Sequence, residues 1–199
     1  MMGNTHISIG IAAALAVTAP TAPGDSLPAI LGGALGGMLS DIDIRSGKRH
    51  KDVSQTRMLA VGIAVVCLFL DSLFGGRLWS ALTANEHAGT GALLLGLLCL
   101  FGSVQEHRGF THSLLALALF TGCAALVCPP LLLPFGAGFA SHLALDSLNK
   151  KPIRLFYPLK TGLCLKLCYA DGRINALLLR LGLILSVLLL LRPLLTLFS

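Results

Sequence analysis

Apolar residues run in seven nearly uninterrupted stretches, at about 6–19, 27–40, 58–74, 88–105, 110–128, 131–148 and 176–198, with most polar residues between them. Several approach the about 20 residues a helix needs to cross a bilayer core of about 30 Å. The pattern predicts an all-α fold: a polytopic membrane helical bundle with about five to seven membrane segments. The first two stretches are short, about 14 residues each. They are expected to tilt or to form a re-entrant hairpin broken at Pro20, Pro23, Gly24 and Pro28. Composition removes a soluble second domain: of 199 residues 55% are hydrophobic and 12% charged, and the mean hydropathy is +0.82. Residues 1–199 are read as a single membrane-embedded domain whose chemistry lies at helix ends and in short connections.

The net charge of +6 is distributed unevenly. Connections at 41–57, 106–109 and 149–175 hold twelve of the fifteen Lys and Arg residues, while those at 20–26, 75–87 and 129–130 hold only Arg77. Basic connections stay cytoplasmic, so alternation through seven segments places all three on the cytoplasmic face of a multi-pass protein. Most of the excess is therefore orientation, with a secondary attraction to anionic membrane lipids. No soluble basic module interleaved with aromatics is present, so nucleic acid is not an expected partner.

Ionisable groups at membrane depth are costly and mark functional sites. Four clusters fall at the same predicted face: His6; Asp41 and Asp43; His107 and His112; His142 and Asp146. His142 and Asp146, spaced i and i+4, share one helix face. Asp41 and Asp43, spaced i and i+2, share a side only if the helix has ended. Gly109 allows a turn that brings His107 and His112 inward, with Thr111 as the expected helix cap. Four imidazoles and three carboxylates exceed one tetrahedral site and suit two or more divalent ions, Zn first, with Mn and Fe as alternatives. His50, beside the basic run, and His87, on the opposite face next to Glu86, are left outside the set.

Other features read as structural. Cys67, Cys99, Cys123 and Cys128 belong to the apolar spans, and Cys164 with Cys168 forms a C-x3-C that lacks zinc-ribbon spacing. Gly32, Gly33, Gly36 and Gly37 make two interleaved G-x-x-x-G pairs that let helices approach closely.

His6, the D-x-D at Asp41 and Asp43, the block "HRGFTHS" at 107–113 and "SHLALDSL" at 141–148 together resemble the YdjM-like family of LexA-regulated, inner-membrane metal-dependent hydrolases. The resemblance runs over roughly residues 3–175 and extends distantly to zinc-dependent phospholipase C and P1 nuclease. Three positions depart from the family pattern: Ser40, Asn149 and Asn175. The resemblance implies a hydrolase of the bacterial inner membrane with its active site facing the cytoplasm, acting on a phosphate ester such as a lipid. Arg108, able to fork onto phosphate oxygens, and Asp43 are the candidate catalytic residues. A carboxylate outside the ligand set would accept a proton, and spacing leaves open which Asp that is. Arg108, Lys150, Lys151 and Arg154 are the candidate substrate contacts. A divalent-metal transporter or sensor using the same His and Asp cluster is the alternative.

Overall fold

A helix that is apolar on all sides belongs either in lipid or in the middle of a bundle. The computed structural model, which describes residues 1–44, 50–169 and 172–195, uses both destinations. In chain order the helices are α1 Gly3–Thr18, α2 Pro23–Leu39, α3 His50–Leu73, α4 Arg77–Ala84, α5 Ala88–Val104, α6 Leu114–Val127, α7 Leu132–Ser147 and α8 Arg173–Leu195. Among the described residues there are no strands, only isolated bridges pairing Asn149 with Cys168 and Ile153 with Leu163.

Helices α1, α2 and α7 pack on one another as an inner layer, with α8 against α1, α3 against α2 and α5 against α6. The glycines of α2 set this order because they face two neighbours. A Cβ on Gly33 would lie 2.6 Å from Gly10 O, and one on Gly37 would lie 2.5 Å from His6 O, both in α1. A Cβ on Gly32 would lie 2.9 Å from Phe135 N, and one on Gly36 would strike the Phe135 carbonyl, both in α7. Only hydrogen at these positions lets the three backbones approach. Phe120, Phe135 and Phe139 fill the core between α6, α7 and α2.

This layering corrects the expectation of five to seven membrane segments. Among the described residues two helices are long and apolar enough to cross a bilayer, α3 from Asp52 to Leu73 and α8, and α4 with α5 adds a third if that pair, bent by 93°, is one broken span. Helices α1, α2 and α7 have 16, 17 and 16 residues. At about 1.5 Å per residue they reach about 24–26 Å, short of the core thickness of about 30 Å. Their apolarity comes from burial inside the bundle, which a hydrophobic run does not distinguish from contact with lipid. The spans proper face outward, with 22% of the apolar window buried in α3 and 11% in α8. Val61, Val65 and Phe69, and on α8 Leu177, Leu181 and Leu188, are exposed.

Helix α4 lies in what reads as a connection, and a residue from the preceding helix organises it. Buried Asp71 accepts hydrogen bonds from the Leu78 N–H at 3.0 and 2.9 Å and the Trp79 N–H at 3.0 Å, across the positive-φ pair Gly75 and Gly76. Asp71→Ala leaves these donors unsatisfied and is expected to cost about 1–3 kcal/mol, read as a lower Tm in detergent, with Asp71→Asn retaining part of the loss. At the same end of the bundle Arg77 pairs with Asp25. They line a cavity of about 250 Å³ with Thr18, Pro20, Pro130 and Pro134, so the three weakly charged connections meet as alternation requires.

Candidate metal centre

Alternating helix directions carry the start of α1, the ends of α2 and α7 and the α5–α6 turn to the other end of the bundle. His6 lies in the first turns of α1. Helix α2 gives way to a 3-10 turn, Ser40–Asp43, where Asp41 leaves helical geometry at φ −86° and ψ 16°. His112 closes a second 3-10 turn, Phe110–His112. In the turn before it the left-handed residue is Arg108, at φ 68°, rather than Gly109. Gly109 is needed for space, since a Cβ there would lie 2.8 Å from Glu106 O. Ser113, not Thr111, caps α6 by accepting the Ala116 N–H at 3.1 Å. His142 and Asp146 occupy one face of the last turns of α7.

All four clusters converge, and His6, Asp43, His112, His142 and Asp146 are buried. His112 Nε2 stands 3.3 Å from His142 Nε2, 3.5 Å from Asp146 Oδ2 and 3.6 Å from Asp41 Oδ1. His6 Nε2 is 3.4 Å from Asp146 Oδ1, and His142 Nε2 is 3.8 Å from Asp41 Oδ1. With Zn–N and Zn–O bonds of about 2.0–2.2 Å, two donors on one tetrahedral ion lie about 3.3–3.6 Å apart. Four of the five observed spacings fit that edge, and the His142–Asp41 separation is slightly longer. Among the described residues three overlapping triads have donor atoms close enough to share an ion: His6, Asp41 and His142; Asp41, His107 and His112; His112, His142 and Asp146. Asp41, His112 and His142 each belong to two triads, and of these the Asp41 carboxylate has two oxygens with which to bridge two ions.

The far sides of the rings show which nitrogen is presented. His142 Nδ1 lies 2.7 Å from Gly37 O, which can only accept, so Nδ1 carries the proton and Nε2 offers a lone pair. His107 Nδ1 donates to Asp43 Oδ1 at 2.8 Å. Thr111 Oγ1 donates to Asp43 Oδ2 at 2.7 Å and is 3.1 Å from His112 Nδ1. Such outer hydrogen bonds fix tautomer and orientation in metal sites. Asp43 also accepts the Arg108 N–H at 3.1 Å and belongs to none of the three triads. It holds the His107–His112 turn by accepting from His107, Thr111 and the Arg108 N–H. Asp43→Asn is expected to lower metal affinity about 10–100-fold with the fold retained, measured by competition with a chelator.

Charge favours a bound cation. Burial raises the Asp41 carboxyl, but His142, His112 and His6 outweigh it and hold Asp41 well below the ordinary carboxylate range. Asp43 is likewise held low against its burial, chiefly by His107 and His112. Burial lowers His112, yet Asp146, Asp41 and Asp43 carry it well above the usual imidazole value. Asp146 has cations beside it, Arg108 Nη2 and the Met1 amine, both at 2.9 Å. Among the described residues the ionisable partners of Asp41 and Asp43 are imidazoles. Carboxylates that hold a proton on a buried imidazole will hold a divalent ion in its place once the ring is neutral.

A family model of the YdjM inner membrane protein matches residues 1–196. The chain belongs to the YdjM inner membrane protein family. No curated protein and no solved structure matches it. The YdjM match spans every residue of the centre and, with the outward-facing apolar helices, makes this a membrane protein.

The other residues singled out in this YdjM-family chain lie around the centre rather than in it. Arg108 turns inward and is buried, its guanidinium bonding Asp146 and the Lys151 carbonyl while Nε has no partner among the described residues. Lys150 stacks its ammonium over Tyr169, and Arg154 pairs with Glu106 at 2.9 Å. Arg154, Glu106, Gly109, Tyr157 and Lys160 line a cavity of about 430 Å³ behind the His107 turn. The Lys151 side chain is exposed. Asn149 Nδ2 donates to Asp146 Oδ1 at 2.8 Å, and Asn175 Oδ1 accepts the Met2 N–H at 3.0 Å, so two of the three departures from the family pattern are hydrogen-bonded beside the site. His87 pairs with Glu86 on the surface, and the His50 side chain lies outside the described residues. The thiols of Cys164 and Cys168 donate to the carbonyls of Asn149 and Leu148. The sequence pointed to Gly37 for packing alone and assigned Thr111 a different task. The only signal for Thr111 was its place beside His112.

Proposed function

We propose that this chain is a membrane-embedded metal-dependent hydrolase that cleaves a phosphate ester, with a membrane lipid as substrate, at the cytoplasmic face of the bacterial inner membrane. The observation that carries this reading is the pair of buried imidazoles, His112 and His142, whose Nδ1 atoms are held by Thr111 and Gly37 while their Nε2 atoms converge with Asp41 and Asp146. His6, Asp41, His107, His112, His142 and Asp146 would hold the ions. When bound, two or more Zn ions, or Mn or Fe, lower the pKa of a water toward about 7 and neutralise charge developing on phosphoryl oxygens. Arg108 braces Asp146 and keeps a buried N–H free for a substrate oxygen. Lys150, Lys151 and Arg154, in the connection that follows Asp146, supply positive charge that draws an anionic headgroup.

Metal analysis of purified wild-type protein and Asp146→Ala, followed by a panel of lipid and soluble phosphoesters, tests the reading. Wild type is expected to carry Zn and to hydrolyse at least one lipid phosphoester, and Asp146→Ala to do neither. Metal-loaded protein that hydrolyses nothing but passes Zn into vesicles would establish the transporter alternative instead. The cluster's place at one end of the bundle counts against transport, since transport sites lie near the bilayer midplane.

A further inference from the structure

The connection from α7 to α8 combines features that water alone does not explain. Residues 148–172 carry five cations, Lys150, Lys151, Arg154, Lys160 and Lys166, against one acid, Asp171. Yet Phe156, Leu159, Leu163, Leu165, Leu167 and Tyr169 are all exposed, Leu165 at 53%, Leu167 at 65% and Tyr169 at 64%. From Leu163 to Tyr169 these apolar residues alternate, while Cys168 and, less completely, Cys164 turn inward. The exposure is not that of a loose loop. Ile153 and Leu163 exchange backbone hydrogen bonds at 3.0 and 2.8 Å, the Leu165 N–H donates to Ser147 O at 2.8 Å, and the Leu167 N–H donates to Leu148 O at 3.0 Å. Backbone polar groups are thus tied to the end of α7, and the outward side chains are fixed as an apolar row between lysines. Lys151, Lys160 and Lys166 pair with no carboxylate among the described residues.

We infer that this connection is an interfacial ribbon that lies in the headgroup layer of the leaflet nearest the metal centre. Leucines buried at the acyl boundary and lysines at the phosphate level are the arrangement by which a peripheral segment binds an anionic lipid surface. The surface it fits is the leaflet itself, because the ribbon continues into α8, whose exposed Leu177 and Leu181 extend the apolar face. The ribbon is tied to α7 directly after Asp146, so its insertion sets the centre at the depth of lipid phosphates. Resting on the hydrolase reading, this makes the substrate a lipid drawn sideways from the leaflet rather than a soluble phosphoester.

Trp79 is the single tryptophan, so Leu167→Trp in a Trp79→Phe chain reports on the ribbon in full-length protein. Reconstituted in vesicles containing anionic lipid, its emission is expected to shift to the blue and to be quenched more by lipids brominated near the headgroup than by acrylamide. Leu159→Trp, at a second exposed position, is expected to behave alike. Emission at the wavelength of free tryptophan, with strong acrylamide quenching and no bromolipid effect at both positions, would overturn the inference. The readout needs no activity: bromolipid quenching in a protein without any phosphoesterase activity keeps the ribbon and discards the hydrolase. If lipid hydrolysis is found, Leu165→Asn with Leu167→Asn is expected to reduce it while sparing soluble phosphoesters. An equal loss on both substrates would count against the ribbon's role in presenting lipid.

Discussion

His112→Ala is expected to remove more metal than His107→Ala, because His112 is fully buried and its Nε2 faces His142, Asp41 and Asp146 together. His107 belongs to one triad, and its side chain is 34% exposed at the edge of the centre. His107→Ala is therefore expected to lose a single ion with little effect on folding. Metal per protein, measured on purified samples, should fall in the order wild type, His107→Ala, His112→Ala. Stability should follow. A ligand present at about 1,000 times its Kd stabilises the folded state by about 4 kcal/mol, so a chelator should lower the Tm of wild type strongly. The same chelator should barely move the Tm of His112→Ala. Equal metal content in all three proteins would refute the shared-ligand arrangement, and a chelator response retained by His112→Ala would place the stabilising ion elsewhere.

How much of this was legible in the sequence depends on where each interaction comes from. The apolar runs located seven helices because each run is long and bounded by charge or proline. They overcounted membrane spans because α1, α2 and α7 owe their apolarity to the bundle interior. Helix α4 escaped because its organising carboxylate, Asp71, belongs to the preceding helix. The convergence of His6, Asp41, His107, His112, His142 and Asp146 was legible, since helix alternation alone puts them at one end and the i, i+4 spacing of His142 and Asp146 aims both inward. The outer hydrogen bonds were not. Gly37 acts through a carbonyl oxygen that every residue possesses, and Asp43 differs from Asp41 only in what the turn at Arg108 brings to it. The left-handed backbone of Arg108 likewise turns inward a side chain that the sequence alone assigned to a phosphate.

Gly37→Val is expected to be the most damaging change outside the ligands, because one position serves both packing and chemistry. A Cβ at residue 37 would sit 2.5 Å from His6 O, closer than van der Waals contact allows, and the obstructing atom is backbone that cannot swing aside. Helix α1 must then move away from α2, taking His6 with it. The Gly37 carbonyl that holds His142 Nδ1 at 2.7 Å is displaced in the same step, so His142 loses the bond that directs Nε2 toward His112. Overpacking of a filled core costs about 1–3 kcal/mol, and loss of an outer hydrogen bond to a ligand costs about 10–100-fold in metal affinity. The variant should show a lower Tm together with weakened Zn binding. Gly62→Val supplies the control: a Cβ there meets nothing within 4 Å, and the residue lies in α3. That substitution should leave metal content unchanged. If both valine variants bind Zn like wild type, close approach of α1 and α2 is not what assembles the centre.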